Sequence, residues 1–359
     1  ERARLDTAER ELTPLTLEVH ERSAAIAKDL GWGSILELSQ ELSGIDLAAL
    51  EQQTEALLAA TEANYETVVE PELEHHLGVG FDRLRRSDLP AFFRAPTLDA
   101  AFPPERAIPA LRQTLAGMGI ELDAQPNVIV DAELRPTKSP RAFCAPVRVP
   151  DEVYLMISPQ GGRDDTETLL HEAGHTEHFA HVNPALPFER RLLGDNSFTE
   201  AFAFLFQYLA EEPAWLEEVL GVDAAPLAGY AKAVKLIFLR RYAAKLGYER
   251  RLHAADADLS AMPGEYARRL SAAVHVDWPS ETWISDVDPF FYAACYLRAW
   301  ATERTLRAHL VDQYGERWFT EPAAGALLVQ IWSKGQRAVA EELLEEIGAE
   351  PRIDLAVLA

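Results

Sequence analysis

The sequence changes character only once, between residues 126 and 158, and this change constrains the fold more than any other feature. In most of the chain, apolar residues recur near a period of 3.6 between charged ones, as over residues 35–58, which indicates amphipathic helices. Within the exceptional stretch, short runs of strand-forming residues alternate with proline-containing turns, and these runs are residues 127–130, 142–145 and 153–158. The sequence therefore predicts a mainly α, multi-helix fold with a small three-stranded β-sheet.

Helices are predicted on both sides of this sheet. Residues 1–80 are expected to form helices that break near Gly31 and Gly33, and prolines divide residues 88–110 into short pieces. The other predicted helices cover residues 107–118, 165–183, 197–219, 226–246, 264–275, 290–312 and 336–347. The helix over residues 165–183 follows the strands directly and carries the residues with the clearest chemistry.

The composition excludes several classes of protein. The formal net charge is −24, so no basic face large enough to follow phosphates is expected, and we predict no nucleic-acid partner. No apolar run approaches the roughly 18 residues of a membrane-spanning helix, so we predict no membrane partner. The two cysteines, Cys144 and Cys295, are too few for a disulfide framework or a thiolate zinc site. These features are typical of a cytoplasmic protein.

Two histidines four residues apart give the strongest functional signal. His171 and His175 stand one turn apart on the same face of the predicted helix, with a rise of about 6 Å between them. Neutral imidazoles at this spacing can bind one zinc ion and leave a coordination position for water. Glu172 lies about 100° around the helix from His171, where a carboxylate can take a proton from zinc-bound water.

The third zinc ligand has two candidates. His181 follows His175 with the spacing of the metzincin pattern, but that pattern needs a glycine where this chain has His178. If the helix continues, His181 lies about 9 Å beyond His175 along the axis and cannot reach the same ion. Glu200 stands near the start of an otherwise apolar helix, where a buried carboxylate requires a partner such as zinc. The residues therefore favour Glu200, and they favour a packed or solvated His178 over one that contacts substrate.

At these residues the chain resembles the thimet oligopeptidase and oligoendopeptidase family of gluzincin metallopeptidases, as a shortened and divergent member. That family has a His-Glu-x-Gly-His motif, matched here with Gly174, and a glutamate ligand about 25 residues downstream, matched by Glu200. The segment 131–138, followed by Ala142-Phe143, is also similar, and the similarity covers roughly residues 85–312. The resemblance implies a mostly helical fold with a deep channel, one zinc ion at its floor, and hydrolysis of short peptides.

The resemblance also assigns the zinc site and the domains. The implied zinc ligands are His171, His175 and Glu200. Glu172 would be the general base and acid. Residues 1–125 would form a helical wall of the cleft, and residues 126–359 would form one continuous zinc-binding catalytic region.

A tyrosine-rich helix stabilises the oxyanion in that family, and residues 288–300 are the matching stretch here. Tyr292 and Tyr296 are four residues apart and can share a helix face. Arg298 stands where one alignment places a family tyrosine. The expected oxyanion donors are Tyr292, Tyr296 and Arg298.

The sequence thus predicts a zinc-dependent metallopeptidase that hydrolyses peptide bonds of short peptides with a zinc-bound water activated by Glu172. The oligopeptide substrate is expected to pair in extended form with residues 142–145 or 153–158. Two alternatives stay open at this point. One is a zinc-dependent amidase acting on a non-peptide or modified small substrate, and the other is a zinc-containing peptide-binding protein without turnover.

Overall fold

The computed structural model describes residues 1–139 and 141–359 and is mainly helical. Short 3₁₀ and π segments connect or extend several of its α-helices. No helix among the described residues combines the length and the apolar character needed to cross a membrane. The α-helices are α1 (Arg2–Thr7), α2 (Thr13–Asp29), α3 (Ile35–Ser43), α4 (Leu47–Leu77), α5 (Leu89–Arg94), α6 (Pro104–Gly117), α7 (Arg163–Ala180), α8 (Phe188–Leu192), α9 (Asn196–Gln207), α10 (Pro213–Trp215), α11 (Ala225–Leu252), α12 (Met262–Val274), α13 (Tyr292–Tyr314), α14 (Pro322–Trp332) and α15 (Ala340–Glu346).

One three-stranded sheet accompanies the helices in the described part of the chain. Its strands are β1 (Val128–Asp131), β2 (Phe143–Arg148) and β3 (Glu152–Met156). The central strand is β3, with β1 parallel to it on one side and β2 antiparallel to it on the other. The predicted mainly α fold with a small sheet before α7 is therefore confirmed, and β2 is an edge strand of that sheet.

The chain forms two compact units, and each is built from separate segments. The first unit contains Glu1–Phe92, Lys232–Leu297 and Ala359, and the second contains Phe93–Ala231 and Arg298–Leu358. The predicted division into a helical wall, residues 1–125, and a catalytic region, residues 126–359, stays a prediction.

The first unit is held together by polar side chains that cross between long helices. The hydroxyl of Tyr65 on α4 donates to the carbonyl of Val274 over 3.0 Å. Arg240 on α11 is 1% exposed and lies over the Tyr65 ring, 4.5 Å from its centroid. Its Nε donates to the carbonyl of Ala273 and its Nη1 to that of Leu58. These bonds satisfy the buried guanidinium while they tie α4, α11 and α12 to one another.

The second unit is organised by the contact of α7 with α9. A Cβ atom added at Gly174 would lie 2.4 Å from the carbonyl oxygen of Phe202 and 2.7 Å from Cα of Ala203, so only glycine fits there. Residues 197–206 of α9 are all buried. The sheet packs against the end of α7 through an apolar cluster of Val149, Val153, Phe179, Ala180 and Val182. Helix α7, which carries two of the predicted zinc ligands, is therefore packed on one side by α9 and on another by the sheet.

One predicted helix is wrong in its extent. The helix predicted over residues 197–219 ends at Gln207 and continues as a 3₁₀ segment to Glu211. Pro213 then starts a separate helix, and Glu212 before it has an extended backbone, with ψ near 124°. The residue before a proline is disfavoured in the α conformation, and proline cannot donate the N–H that a continuous helix would need.

Helix α14 was not predicted, and the helix predicted over residues 336–347 is only Ala340–Glu346. The start of α14 contains a proline and Gly325, which together are typical of a turn. In the structure Gly325 meets a packing requirement instead, because an added Cβ would lie 2.0 Å from the carbonyl oxygen of Met118. Single-sequence patterns do not distinguish a glycine selected by packing from one selected by backbone conformation.

Candidate metal centre

The two histidines of α7 and a glutamate of α9 converge on one point. The rings of His171 and His175 have centroids 5.0 Å apart and are nearly perpendicular, at 81°. Their Nε2 atoms lie 3.5 Å and 3.6 Å from Oε2 of Glu200. One ligand atom from each residue lies within 4.8 Å of the others, and the group could hold a metal ion. Two imidazole nitrogens and a carboxylate oxygen are a donor set that zinc accepts.

Glu200 reaches this point because the chain turns back after α7. The returning segment starts at residue 183, contains the short helix α8 and ends at Asp195, which caps α9. Glu200 is then placed in the second turn of α9, and the close contact at Gly174 brings this turn against α7. The carboxylate is 3% exposed, so its charge requires compensation nearby.

Helix α9 also orients both histidines from behind. Nδ1 of His171 is 2.9 Å from Oε1 of Gln207, and Nδ1 of His175 is 2.9 Å from Oγ1 of Thr199. A hydrogen on each Nδ1 leaves each Nε2 lone pair directed toward Glu200. Such partners of ligating histidines fix the tautomer and the ring orientation. Sequence reasoning missed both residues. For Gln207 a signal existed, because it follows Glu200 by seven residues and so shares its helix face.

The electrostatics of the cluster suit a cation. Burial lowers the pKa of His171 to about 4, so this imidazole is neutral near pH 7 and its lone pair is available. Burial also opposes the charged form of His175, but the carboxylate of Glu200 outweighs it and the pKa of His175 is raised. The charge of Glu200 that favours a proton on His175 can equally balance a bound metal ion.

Glu172 lies beside the cluster and is attached to the edge of the sheet. Its Oε2 accepts a hydrogen bond from the backbone N–H of Cys144 on β2, over 2.8 Å. Burial raises the pKa of Glu172, against the opposing influence of His175 and of the Cys144 amide. A carboxyl with a raised pKa is closer to the range in which it can both take and return a proton near neutral pH.

His178, on α7, and His181, which follows its last residue, lie apart from the cluster. Helix α7 runs past His178 to Ala180, as predicted from the lack of a glycine at position 178. Nδ1 of His181 lies 2.8 Å from the carbonyl oxygen of Glu177, and its ring packs on Trp332. His178 is fully buried, it stacks on Phe179, and burial lowers its pKa to about 3. His178 is therefore a packed histidine.

The three residues predicted to stabilise an oxyanion differ in their surroundings. Tyr292 and Tyr296 belong to the first unit, where their rings meet edge to face at 5.0 Å and Tyr296 also meets Tyr242. Arg298 belongs to the second unit and is buried there against Asp195 and Glu341. The catalytic roles of Tyr292, Tyr296 and Arg298 stay predictions.

Comparison with known proteins identifies the fold. No protein-family model matches the sequence, and no curated protein sequence matches it. Among solved structures, M32 carboxypeptidase from Deinococcus radiodurans R1 is similar with a TM-score of 0.65 and 17% identity, over 96% of this chain and 73% of that one. A structure assigned as oligoendopeptidase F is similar with a TM-score of 0.73 and 17% identity, over 98% of this chain. A structure described as BsuCP has a TM-score of 0.63 and 13% identity, over 99% of this chain and 75% of that one.

The chain therefore has the fold of these carboxypeptidase and oligoendopeptidase structures, and the predicted resemblance to oligopeptidases is confirmed at the level of the fold. It spans 63% of the length of the oligoendopeptidase F chain.

Proposed function

We propose that the protein is a zinc-dependent peptidase that hydrolyses short peptides. The observation that carries this proposal is the convergence of His171, His175 and Glu200, with Glu172 beside them, in a chain with the fold of peptidases. A structural role for zinc would not require a carboxylate with a raised pKa next to the ligands. The donor set has three protein ligands, which is typical of catalytic zinc sites and leaves a position for water.

Each residue of the site would have a distinct role in peptide hydrolysis. When bound, zinc would supply a Lewis acid that polarises the scissile carbonyl and lowers the pKa of water. Glu172 would take a proton from the attacking water and later return it to the leaving amine. The Cys144 amide holds the Glu172 carboxylate in place for this transfer. Gln207 and Thr199 keep the two imidazoles in the tautomer that presents Nε2.

The substrate would pair with the edge strand β2. Of the two segments predicted for this role, β3 is paired on both sides within the sheet, whereas β2 pairs only with β3 among the described strands. The N–H of Cys144 is directed to Glu172 and not to β3. In an antiparallel ladder the carbonyl of the same residue points the same way, so Cys144 offers an acceptor to an extended peptide next to the proposed base.

A chelation experiment with a pooled fluorogenic peptide library tests the proposal. We expect turnover by the purified protein, loss of turnover in chelator, and recovery when zinc is added. Glu172→Gln is the matched control, because it keeps the shape and removes the base. It should retain zinc while turnover falls by at least about 10²-fold. Turnover of amide substrates without turnover of peptides would indicate an amidase. Peptide binding with zinc bound and no turnover would indicate a binding protein.

A further inference from the structure

Helix α9 carries more of the candidate metal centre than its one ligand. Thr199, Glu200 and Gln207 all lie on it, and each faces His171 or His175. The position of α9 along its own axis therefore sets three contacts at once. Metal centres lose function when such groups move by about 0.5 Å to 1 Å, so the anchoring of this helix matters for zinc binding.

The first turn of α9 is anchored by a cap. Oδ1 of Asp195 accepts a hydrogen bond from the N–H of Ser197 over 2.9 Å, which satisfies one of the open donors at the helix start. The second oxygen of Asp195 accepts from the N–H of Ala340 over 3.2 Å, at the start of α15. Asp195 thus binds the beginnings of two helices.

Arg298 of α13 binds the same first turn of α9 through two hydrogen bonds. Its Nη2 donates to Oδ2 of Asp195 over 3.0 Å, and its Nε donates to the hydroxyl of Ser197 over 3.1 Å. The far side of the guanidinium forms a paired contact with both oxygens of Glu341, at 2.6 Å and 2.8 Å. The side chain of Arg298 is 8% exposed, so these bonds are shielded from water.

We propose that Arg298 is a positioning residue of the metal centre, which fixes the first turn of α9 through Asp195 and Ser197 and thereby places Thr199 and Glu200 against the two histidines. This inference rests on the proposed function, because it concerns the same zinc site. Glu200 follows Asp195 by five residues, about 7.5 Å along a helix, so a shift of the cap is transmitted to the ligand with little loss. The planar guanidinium can hold a carboxylate and a hydroxyl together, which a lysine cannot do in the same way.

Zinc affinity separates this role from that of an oxyanion donor. A donor to the oxyanion acts only during turnover, so its removal lowers kcat and leaves zinc affinity unchanged. A positioning residue acts before substrate arrives, so its removal weakens zinc binding as well. The measurement is competition for zinc against a chromophoric chelator, together with the thermal midpoint of the zinc-free protein.

Arg298→Met should weaken zinc binding by about tenfold to a hundredfold, as losses around metal ligands do. Arg307→Met is the matched control. Arg307 lies on the same helix and in the same unit, and it is bound to Glu303 and Glu212, neither of which belongs to α9. It should lower the thermal midpoint by a similar amount and change zinc affinity less than about twofold. Arg298→Lys should recover part of the affinity lost in Arg298→Met.

Ser197→Ala keeps the inference testable if Arg298→Met does not fold. It removes only the acceptor of Arg298 Nε and should weaken zinc by about threefold. Wild-type zinc affinity in folded Arg298→Met, or in Ser197→Ala when Arg298→Met does not fold, would overturn the positioning role. Equal losses of zinc affinity in Arg298→Met and Arg307→Met would also overturn it, because the effect would then be general destabilisation. A wild-type protein that binds no zinc would overturn the proposed function and this inference with it.

Discussion

Two buried glutamates, one in each unit, find their counter-charges in opposite ways. Glu249 of the first unit is 0% exposed, and its Oε1 accepts from the N–H of Asp288 over 3.0 Å. Nζ of Lys245 lies 3.8 Å from the same oxygen and 2.7 Å from Oδ2 of Asp288. Glu200 of the second unit is 3% exposed, and its Oε2 faces two imidazole nitrogens.

The difference lies in where the positive charge comes from. In the first unit Lys245 brings it as part of the chain, because its Nζ lies near the buried carboxyl of Glu249 and the partly exposed carboxylate of Asp288. In the second unit the partners are histidines, and burial holds at least His171 neutral near pH 7. The carboxylate of Glu200 raises the pKa of His175, and in the proposed function a zinc ion bound from solution takes the place of that proton. The proposed function thus distinguishes a carboxylate that serves the fold, Glu249, from one that serves a metal site, Glu200.

The largest effect should follow removal of the carboxylate that the proposed function places on the zinc ion. Glu200→Ala should weaken zinc binding by about 10³-fold, because one of three protein ligands is lost. His181→Ala is the control, since His181 bonds to Glu177 and packs on Trp332 away from the cluster. It should change zinc affinity by less than about threefold. Competition with a chromophoric chelator measures both, and the reverse result would replace the third ligand and the geometry proposed for the site.

The cation of the first unit should matter for stability regardless of zinc. Lys245→Met leaves the buried carboxyl of Glu249 and the partly exposed carboxylate of Asp288 without their cation, which should cost roughly 3 kcal/mol of unfolding free energy. Urea unfolding should show this loss equally with zinc and with chelator. A destabilisation that appears only when zinc is bound would mean that the two carboxylate clusters are not independent, and the comparison would fail.

The parts of the site that follow from local geometry were predictable from the sequence. His171 and His175 share a helix face because of their spacing alone, and Glu172 follows from the same helix. Glu200 was predictable because His178 does not end the helix, which left His181 out of reach. These inferences need only the geometry of one helix and the cost of a buried charge.

The remaining residues depend on how elements meet, which spacing does not encode. Gln207 and Thr199 contact the histidines only because of the register between α7 and α9, and Gly174 fixes that register through its contact with Phe202. Arg298 was assigned a catalytic role from an alignment, yet its partners come from two distant segments of the chain. The mainly α fold was predictable from the sequence. The end of α9 and the existence of α14 were not, because Pro213 interrupts a predicted helix and Gly325 fits a close contact inside an unpredicted one.

A smaller effect is expected where α7 and α9 touch. Gly174→Ala places a Cβ 2.4 Å from the carbonyl oxygen of Phe202, so the two helices must separate. We expect a loss of about 2 kcal/mol in unfolding free energy and a weaker zinc site, because the ligands lie on both helices. Gly264→Ala is the control, since Gly264 is also helical and an added Cβ there meets nothing within 4 Å. It should be neutral or slightly stabilising. Equal stability of the two variants would show that α7 and α9 tolerate a larger separation than the structure indicates.

The smallest effect should come from the neutral partner of His171. Gln207→Leu removes the acceptor for Nδ1 of His171 while it preserves much of the side-chain volume, so zinc affinity should fall by about tenfold. Gln207→Glu should act in the opposite direction, because a carboxylate acceptor raises the basicity of a ligating imidazole. The two substitutions therefore separate orientation from charge, and competition with a chelator measures both. If Gln207→Glu weakens zinc as much as Gln207→Leu does, then the site tolerates no carboxylate beyond Glu172 and Glu200. In the first unit one lysine is surrounded by several carboxylates. The two units would then differ in the amount of negative charge that each can hold, as well as in the source of the positive charge.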